Sequence, residues 1–180
     1  MSATGHVWNR RQTNRNERLA RASSVLGSSL EGKLLPSARI ADLLYAVIES
    51  GDRVCLEGNN QKQADFLSKA LAGLDPARVH DLHMLFSVLA LPEHLDVFEK
   101  GIASKLDFSF SGPQAGRLAK LASAGKLNIG AIHTYLELFG RYFVDLTPRV
   151  ALVAAQAADR HGNLYTGPNT EDTPEIVEAT

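Results

Sequence analysis

The chain has 180 residues, 44% of them hydrophobic and 22% charged, with a formal net charge of −1. This composition is ordinary for a soluble globular protein, and the length allows a buried core without a disulfide or metal staple. The near-neutral charge argues against nucleic-acid binding, and the lack of an apolar run of ~20 residues argues against a membrane span. The single cysteine, Cys55, rules out an internal disulfide framework and favours a reducing cytoplasm.

Residues 1–35 are predicted to be a basic N-terminal arm. Between residues 5 and 22, five arginines stand against one acid, Glu17. These arginines are Arg10, Arg11, Arg15, Arg18 and Arg21. A transit peptide and an RNA-binding arm are two interpretations, but we favour a solvated helical arm that packs on a neighbouring subunit. Trp8 has no local apolar partner, which favours docking on a partner or on the main body.

From residue 36 onward, apolar runs typical of buried strands alternate with helical segments. Helices are predicted between Ser37 and Gly51 and over residues 61–71, 92–100, 114–124 and 134–143. Strands are predicted over residues 53–56, 82–88, 106–110, 127–132 and 150–157, with a short extension at 164–165. The alternation predicts an α/β domain over residues 36–180, with a largely parallel sheet flanked by helices. The small-residue run 150–157 is the predicted central strand.

Strand-to-helix junctions are the places where parallel α/β sheets bind ligands. The most distinctive junction, residues 57–63, has the sequence EGNNQKQ. Gly58 allows close backbone approach, and Asn59, Asn60 and Gln61 offer amide groups. The turn therefore suits a phosphate, a carboxylate or an oxyanion. An asparagine helix cap with a polar first turn is the alternative, and the glycine patterns of phosphate loops and dinucleotide sites are absent from the sequence.

Two further junctions carry candidate residues. Gly112 lies in the turn after the strand 106–110, although Pro113 also fits an ordinary helix start. His133 follows the next strand, where a lone histidine is more often structural than catalytic. No pair of histidines has the spacing of a metal site with a third ligand, so no metal is expected. Cys55 lies in an apolar run and is predicted to be a buried, unreactive thiol.

The tail from residue 159 is dense in turn-forming and polar residues. Its candidate site residues are Gly162, Asn163, Gly167, Asn169 and Glu171. Such a segment is either a linker or a loop that reaches over a site beside the sheet. No closing element is predicted after residue 166, and an apolar segment begins at Ile176 just before the last residue. We therefore expect a fragment of a longer protein.

Four long segments carry a resemblance to a known family. They are residues 51–71 (GDRVCLEGNNQKQADFLSKAL), 75–84 (DPARVHDLHM), 91–114 (LPEHLDVFEKGIASKLDFSFSGPQ) and 130–180 (GAIHTYLELFGRYFVDLTPRVALVAAQAADRHGNLYTGPNTEDTPEIVEAT). Together they resemble the alpha subunit of malonate decarboxylase. The likeness runs from Trp8 to the last residue, which makes it more specific than a short motif.

The resemblance implies a coenzyme A transferase fold of two α/β halves with the active site between them, this chain being the N-terminal half. It implies that an acetyl-carrier thioester exchanges with malonate to give malonyl-carrier and acetate. The carrier's thiol belongs to a phosphoribosyl-dephospho-coenzyme A group, and no cofactor is expected to bind the chain directly. The implied partners are the acyl carrier protein, the decarboxylase subunits and the C-terminal half, in the cytoplasm, with no nucleic acid and no membrane.

The resemblance also implies where the site lies. Residues 58–61 fall where related transferases carry a glycine-rich oxyanion or thioester loop, although asparagine and glutamine replace the glycine run here. Gly162, Asn163 and residues 167–172 are implied to face the substrate cleft. Thioester exchange develops negative charge on a carbonyl oxygen, so backbone N–H groups and the Asn59 and Asn60 amides are candidate donors. A catalytic carboxylate is not transferred onto this half. The alternatives are a citrate lyase alpha-like transferase, a sugar-phosphate-sensing domain of related fold and a docking scaffold.

Overall fold

Five strands form a parallel sheet at the centre of the structure, a computed structural model that describes residues 7–27, 34–57, 64–167 and 171–180. The strands are β1 (Arg53–Leu56), β2 (Leu82–Val88), β3 (Ala103–Phe110), β4 (Asn128–Ile132) and β5 (Val150–Leu152). Their spatial order is β4–β3–β2–β1–β5, and each neighbouring pair is parallel. The predicted α/β fold with a parallel sheet is confirmed.

Helices connect the strands and cover both faces of the sheet. The described α-helices are α1 (Val7–Leu26), α2 (Ile40–Val47), α3 (Asp65–Ala72), α4 (Asp96–Glu99), α5 (Ala115–Ser123), α6 (Tyr135–Val144) and α7 (Thr173–Ala179). Short 3₁₀ turns precede three of them, at Ser37–Arg39, Pro92–Leu95 and Gly112–Gln114. The predicted helix 92–100 is therefore a 3₁₀ turn followed by one α-helical turn. In the part of the chain that the structure describes, no helix is long and apolar enough to cross a membrane.

The central strands are buried on both faces. Successive residues point to opposite faces of a strand: Val54 and Met84 belong to the larger core, whereas Cys55 and Leu85 belong to a smaller one that includes Tyr142. This double burial is the reason for the continuous apolar runs in the sequence. Cys55 is buried as predicted, and burial raises the pKa of its thiol well above the ordinary value.

The segment 150–157 differs from its prediction as a long central strand. The part that joins the sheet is Val150–Leu152, at the edge beside β1. The backbone N–H of Ala154 donates to a carboxylate oxygen of Glu57 at 2.7 Å rather than to a strand. The chain then turns back in an antiparallel hairpin of β6 (Ala157–Ala158) and β7 (Leu164–Tyr165). The prediction is wrong because a side chain 97 residues away captures the strand's next N–H group.

The tail closes with α7, which the sequence pattern does not predict. Ile176 and Ala179 of α7 are buried in the cluster that contains Leu138 and Tyr142 of α6. Helices α6 and α7 therefore cover the same face of the sheet. The prediction of a tail without a closing element is wrong. Two apolar residues three positions apart are enough to dock a short helix when a neighbouring helix, here α6, offers an apolar surface.

Helix α1 packs on α2 of the same chain. Arg18 is 6% exposed, and its guanidinium donates to both carboxylate oxygens of Asp52 (2.5 and 3.0 Å), to Glu49 (2.9 Å) and to the Val47 carbonyl (2.6 Å). The expectation of a solvated arm is wrong for this face of α1, because the acids that pair with Arg18 lie between α2 and β1. The domain boundary at residue 36 stays a prediction.

Candidate functional site

Buried polar side chains gather beyond the carboxyl ends of the central strands. Glu57 directly follows β1, Ser87 is near the end of β2, and Asp172 precedes α7. Glu57 and Asp172 are 0% exposed. Fully buried carboxyls are rare, and this edge of a parallel sheet is where ligands bind. These three residues, together with Tyr135 and Glu171, are called the carboxyl-end cluster below.

The Glu57 carboxylate ties three elements together. Thr173 Oγ1 donates a hydrogen bond to Oε1 of Glu57, and the Ala154 N–H donates to Oε2 at 2.7 Å. The backbone N–H of Glu57 itself donates to the Leu152 carbonyl at 2.9 Å. Two donors on a buried carboxylate offset much of its desolvation cost. Glu57 therefore anchors the point from which residues 58–63 continue.

Asp172 is a buried carboxyl whose two oxygens have no hydrogen-bond partner among the residues that the structure describes. Burial raises the pKa of Asp172 to about 6, the nearby Ser87 hydroxyl offsets part of that rise, and the Glu57 and Glu171 carboxylates add to it. A carboxyl that titrates near neutral pH can both give and accept a proton during a reaction. Carboxyls perturbed in this way concentrate at functional sites.

Asp172→Asn is expected to stabilise the protein at high pH. Between about pH 4 and pH 6 the folded state keeps a proton that the unfolded state has lost, so stability falls as pH rises through this window. Asparagine avoids that cost, and we expect the free energy of unfolding to rise by about 2 kcal/mol at pH 8 and hardly at all at pH 4. Urea unfolding of the full-length protein at both pH values measures the difference.

The matched control for this effect is Asp159→Asn. Asp159 is a half-buried carboxylate in the β6–β7 hairpin, and the Asn163 side-chain amide is the main cause that lowers its pKa. Its charge therefore favours the folded state above the unfolded pKa, and this variant should lose stability at pH 8. Shifts of the same sign in both variants would contradict the burial cost assigned to Asp172.

Tyr135 and Glu171 form the more exposed side of the carboxyl-end cluster. The Tyr135 hydroxyl donates to Oε2 of Glu171 at 2.7 Å, and burial together with this bond raises the pKa of Tyr135 well above its ordinary value. Tyr135 therefore remains a protonated donor. Glu171 has a φ of 38°, which is uncommon for a residue with a side chain. Strained backbone of this kind recurs at functional sites.

His133, a predicted site residue, belongs to a separate network centred on β3. The buried Asp107 carboxylate holds two imidazoles: His133 Nε2 lies 2.8 Å from Oδ1, and His83 Nε2 lies 2.6 Å from Oδ2. His133 Nδ1 also lies 3.3 Å from Oε1 of Glu137. Burial is the main cause that lowers the pKa of His83. The network links β2, β3 and the end of β4, and the described residues contain no cluster able to hold a metal ion.

Gly130 on β4 leaves room for this network, and Gly130→Ala is expected to damage it. An added Cβ would collide with Oδ2 of Asp107 and lie 2.8 Å from Cε of Lys105. The carboxylate would have to leave its two histidines, so the free energy of unfolding should fall by about 1–3 kcal/mol. In the control Gly116→Ala on α5, an added Cβ meets nothing within 4 Å, and urea unfolding should show no loss. Equal losses would contradict the close approach at Gly130.

Other predicted site residues lie in turns. Gly112 follows β3, Gly162 and Asn163 close the β6–β7 hairpin, and Gly167 follows β7. The three glycines have positive φ angles of 51°, 86° and 74°, which account for glycine there without a ligand. The Asn163 amide donates to Oδ2 of Asp159 at 2.8 Å, so it supports the hairpin turn.

The structure brings together part of the predicted site. Glu171 joins the carboxyl-end cluster, whereas His133, two residues before Tyr135 of that cluster, pairs with Asp107 of β3 instead. The remaining predicted residues lie outside the described ranges. They are Gly58, Asn59, Asn60, Gln61 and Asn169.

Asp172 belongs to the segment 167–172 that the resemblance places at the substrate cleft, whereas Ser87 and Tyr135 are members of the cluster that carry no motif in the sequence. Ser87 lies near the end of a strand, and Tyr135 lies at a helix start. That position is the signal by which they could have been found, because ligand-binding residues of parallel sheets concentrate there.

Comparison with known proteins identifies close relatives. The family model described as malonate decarboxylase, alpha subunit, transporter matches residues 7–180. An acetyl-S-ACP:malonate ACP transferase from Malonomonas rubra is 54% identical over 174 residues, covering 97% of this chain and 31% of that protein. The crystal structure of a malonate decarboxylase alpha subunit from Acinetobacter baumannii matches with a TM-score of 0.89 and 50% identity. A Pseudomonas malonate decarboxylase hetero-tetramer in complex with malonate matches with a TM-score of 0.89 and 57% identity. Each structural match covers 96% of this chain and 31% of the other, so the chain spans about a third of these relatives.

Proposed function

The chain belongs to the malonate decarboxylase alpha-subunit family, and from that membership we propose that it supplies one wall of an acyl-exchange site. In the proposed reaction, an acetyl-carrier thioester and malonate give malonyl-carrier and acetate. The observation that carries this reaction is the 54% identity, over nearly the whole chain, with the Malonomonas rubra transferase. Because the chain spans 31% of that relative, the activity is assigned to the full-length protein.

The carboxyl-end cluster supports a particular role for this wall. Malonate is a dianion, and Glu57, Glu171 and the partly ionised Asp172 would repel its carboxylates. The protonated form of Asp172 is instead a neutral donor, and so is Tyr135 once its single O–H proton turns from Glu171 to the substrate; both suit an oxygen on which charge develops only during the reaction. We therefore assign the thioester carbonyl to this wall and the malonate carboxylates to the remainder of the full-length protein.

Residues 58–61 enter the proposal through their place in the sequence, directly after the anchored Glu57. Backbone N–H groups and the Asn59 and Asn60 amides would complete the set of donors for the carbonyl oxygen as it gains negative charge. Donors fixed before the reaction lower the barrier because they need not reorganise as charge appears.

The proposed partners follow from the reaction and from the relatives. The thioester is carried on the phosphoribosyl-dephospho-coenzyme A group of an acyl carrier protein, and decarboxylase subunits consume the malonyl thioester in the cytoplasm. That a Pseudomonas relative is a hetero-tetramer in complex with malonate supports assembly into a multi-subunit complex.

The test is acyl exchange by the full-length protein. Acetyl-acyl carrier protein is incubated with labelled malonate, and labelled malonyl-carrier and released acetate are measured against a reaction with labelled citrate. We expect stoichiometric exchange with malonate and little with citrate. Exchange with citrate alone would favour a citrate lyase-type substrate, and no exchange with either would overturn the proposal.

A further inference from the structure

The amino ends of β1 and β5, opposite the carboxyl-end cluster, carry a cavity lined by arginines. Its volume is about 520 Å³, within the range of small-molecule sites. The guanidinium groups come from α1 and from the starts of two strands. The four arginines are Arg10, Arg11, Arg53 and Arg149. No carboxylate lines this cavity among the residues that the structure describes.

The arginines of α1 divide into two groups. Arg18 and Arg21 pair with Asp52 and Glu49 of the same chain. Arg10 and Arg11, one to two turns earlier, make no salt bridge with a carboxylate within the described ranges, so the positive charge on this side of α1 is not neutralised locally.

The electrostatic surroundings of the cavity are unfavourable without an anion. Burial lowers the pKa of Arg11, and the neighbouring charges of Arg149 and Arg15 lower it further. The first turn of α1 holds no acid, and its positive helix end adds to the cationic field. Asp145 interacts electrostatically with Arg53, but its carboxylate forms a salt bridge with Arg141. Clustered guanidinium groups of this kind are best stabilised by an anion that accepts several N–H donors at once.

The cavity is also held in shape and has an apolar side. Arg53 Nε donates to the Thr147 carbonyl at 2.9 Å, and the Arg149 N–H donates to the Arg53 carbonyl at 2.8 Å. Phe143 lines the cavity and is 52% exposed. An exposed aromatic ring beside arginines offers a stacking surface in addition to charge.

We propose that this cavity binds a phosphate-bearing ligand of nucleotide type, with the phosphates on the arginines and a planar group on Phe143. Arg11 also donates one N–H to the Ala179 carbonyl, as Arg53 does to Thr147, and the remaining N–H groups of the cluster are open to a ligand. Phosphoryl groups match such a cluster better than a carboxylate does, because each presents three oxygens and up to two negative charges. The concave shape favours a small molecule over an acidic protein surface. The site lies at the amino ends of the strands and is separate from the proposed acyl-exchange wall.

The test is calorimetric titration of the full-length protein with ADP, inorganic pyrophosphate and poly-glutamate. We expect ADP and pyrophosphate each to bind at one site that depends on Arg149, apart from any ADP bound where the carrier group docks. Arg149→Gln, an exposed position, should weaken both ligands at least tenfold, and Arg10→Gln should act in the same direction. Phe143→Ala should weaken ADP at least threefold and leave pyrophosphate within twofold. Arg78→Gln, which removes an arginine that stacks on Tyr45 elsewhere, should change neither by more than twofold.

Three results would overturn the proposal. The first is absence of ADP and pyrophosphate binding, and the second is binding that Arg149→Gln and Arg78→Gln affect equally. The third is binding of poly-glutamate alone, which would assign the arginines to an acidic protein surface. Acyl exchange does not enter this test, so failure here leaves the proposed function standing.

Discussion

Arg18→Met is expected to lower the free energy of unfolding by about 3–5 kcal/mol. The substitution leaves the Asp52 carboxylate, which is 9% exposed, without its bidentate partner. The backbone N–H of Glu49 would remain as a donor to Asp52 at 2.8 Å, which is too little to neutralise a buried charge. The loss is measured by urea unfolding of the full-length protein, monitored through a spectroscopic signal that arises from this domain.

The control for Arg18 is Arg21→Met on the same helix. Arg21 pairs with Glu49, and both side chains are more than 40% exposed, so its loss should cost at most about 1 kcal/mol. The double variant Arg18→Met/Asp52→Asn should recover part of the stability, because the buried charge is gone. Losses of equal size at Arg18 and Arg21 would show that α1 does not depend on the buried pair.

Asn59→Ala and Asn60→Ala are each expected to lower the turnover of acyl exchange about 100-fold, with a much smaller change in the Michaelis constant. Loss of one donor to a developing oxyanion costs about 3 kcal/mol of barrier, and it acts in the transition state rather than on binding. Steady-state kinetics of the full-length protein measure both constants. Asn128→Ala removes an exposed amide at the amino end of β4 and should leave both constants unchanged. Unchanged turnover in both loop variants would remove these side chains from the mechanism.

Much of the fold could be predicted because it depends on local patterns. The strand predicted at 82–88 is β2, and the helix predicted at 134–143 is α6 shifted by one residue. Both segments combine a clear apolar pattern with nearby turn-forming residues. Strands buried on both sides also stand out, since coverage by helices on both faces favours apolar residues at most positions.

The errors in the fold come from contacts between distant residues. The strand predicted over 150–157 ends early because Glu57 captures the Ala154 N–H. The face of α1 is buried because Arg18 finds acids more than 30 residues later. Neither interaction leaves a local pattern, because each depends on how the whole chain is folded.

The position of the candidate site could be predicted from the sequence, but several of the residues that form it could not. The carboxyl ends of the strands follow from the α/β pattern, and Glu171 is one of the candidate residues that the polar tail offers. Thr173 and Glu57, by contrast, are 116 residues apart, and their contact arises when α7 packs over the sheet. His133 lies two residues before Tyr135 of the cluster, but its imidazole pairs with Asp107 of β3 instead.

The most direct test of the acyl-exchange wall is the position of a thioester carbonyl in the full-length protein. A crystal structure with a non-hydrolysable acyl-carrier thioester analogue would measure it. We predict that the carbonyl oxygen lies beyond the carboxyl ends of β1 and β2, within hydrogen-bonding reach of residues 58–61 or of Tyr135. A carbonyl bound at the amino ends of the strands, beside Arg53 and Arg149, would contradict the account.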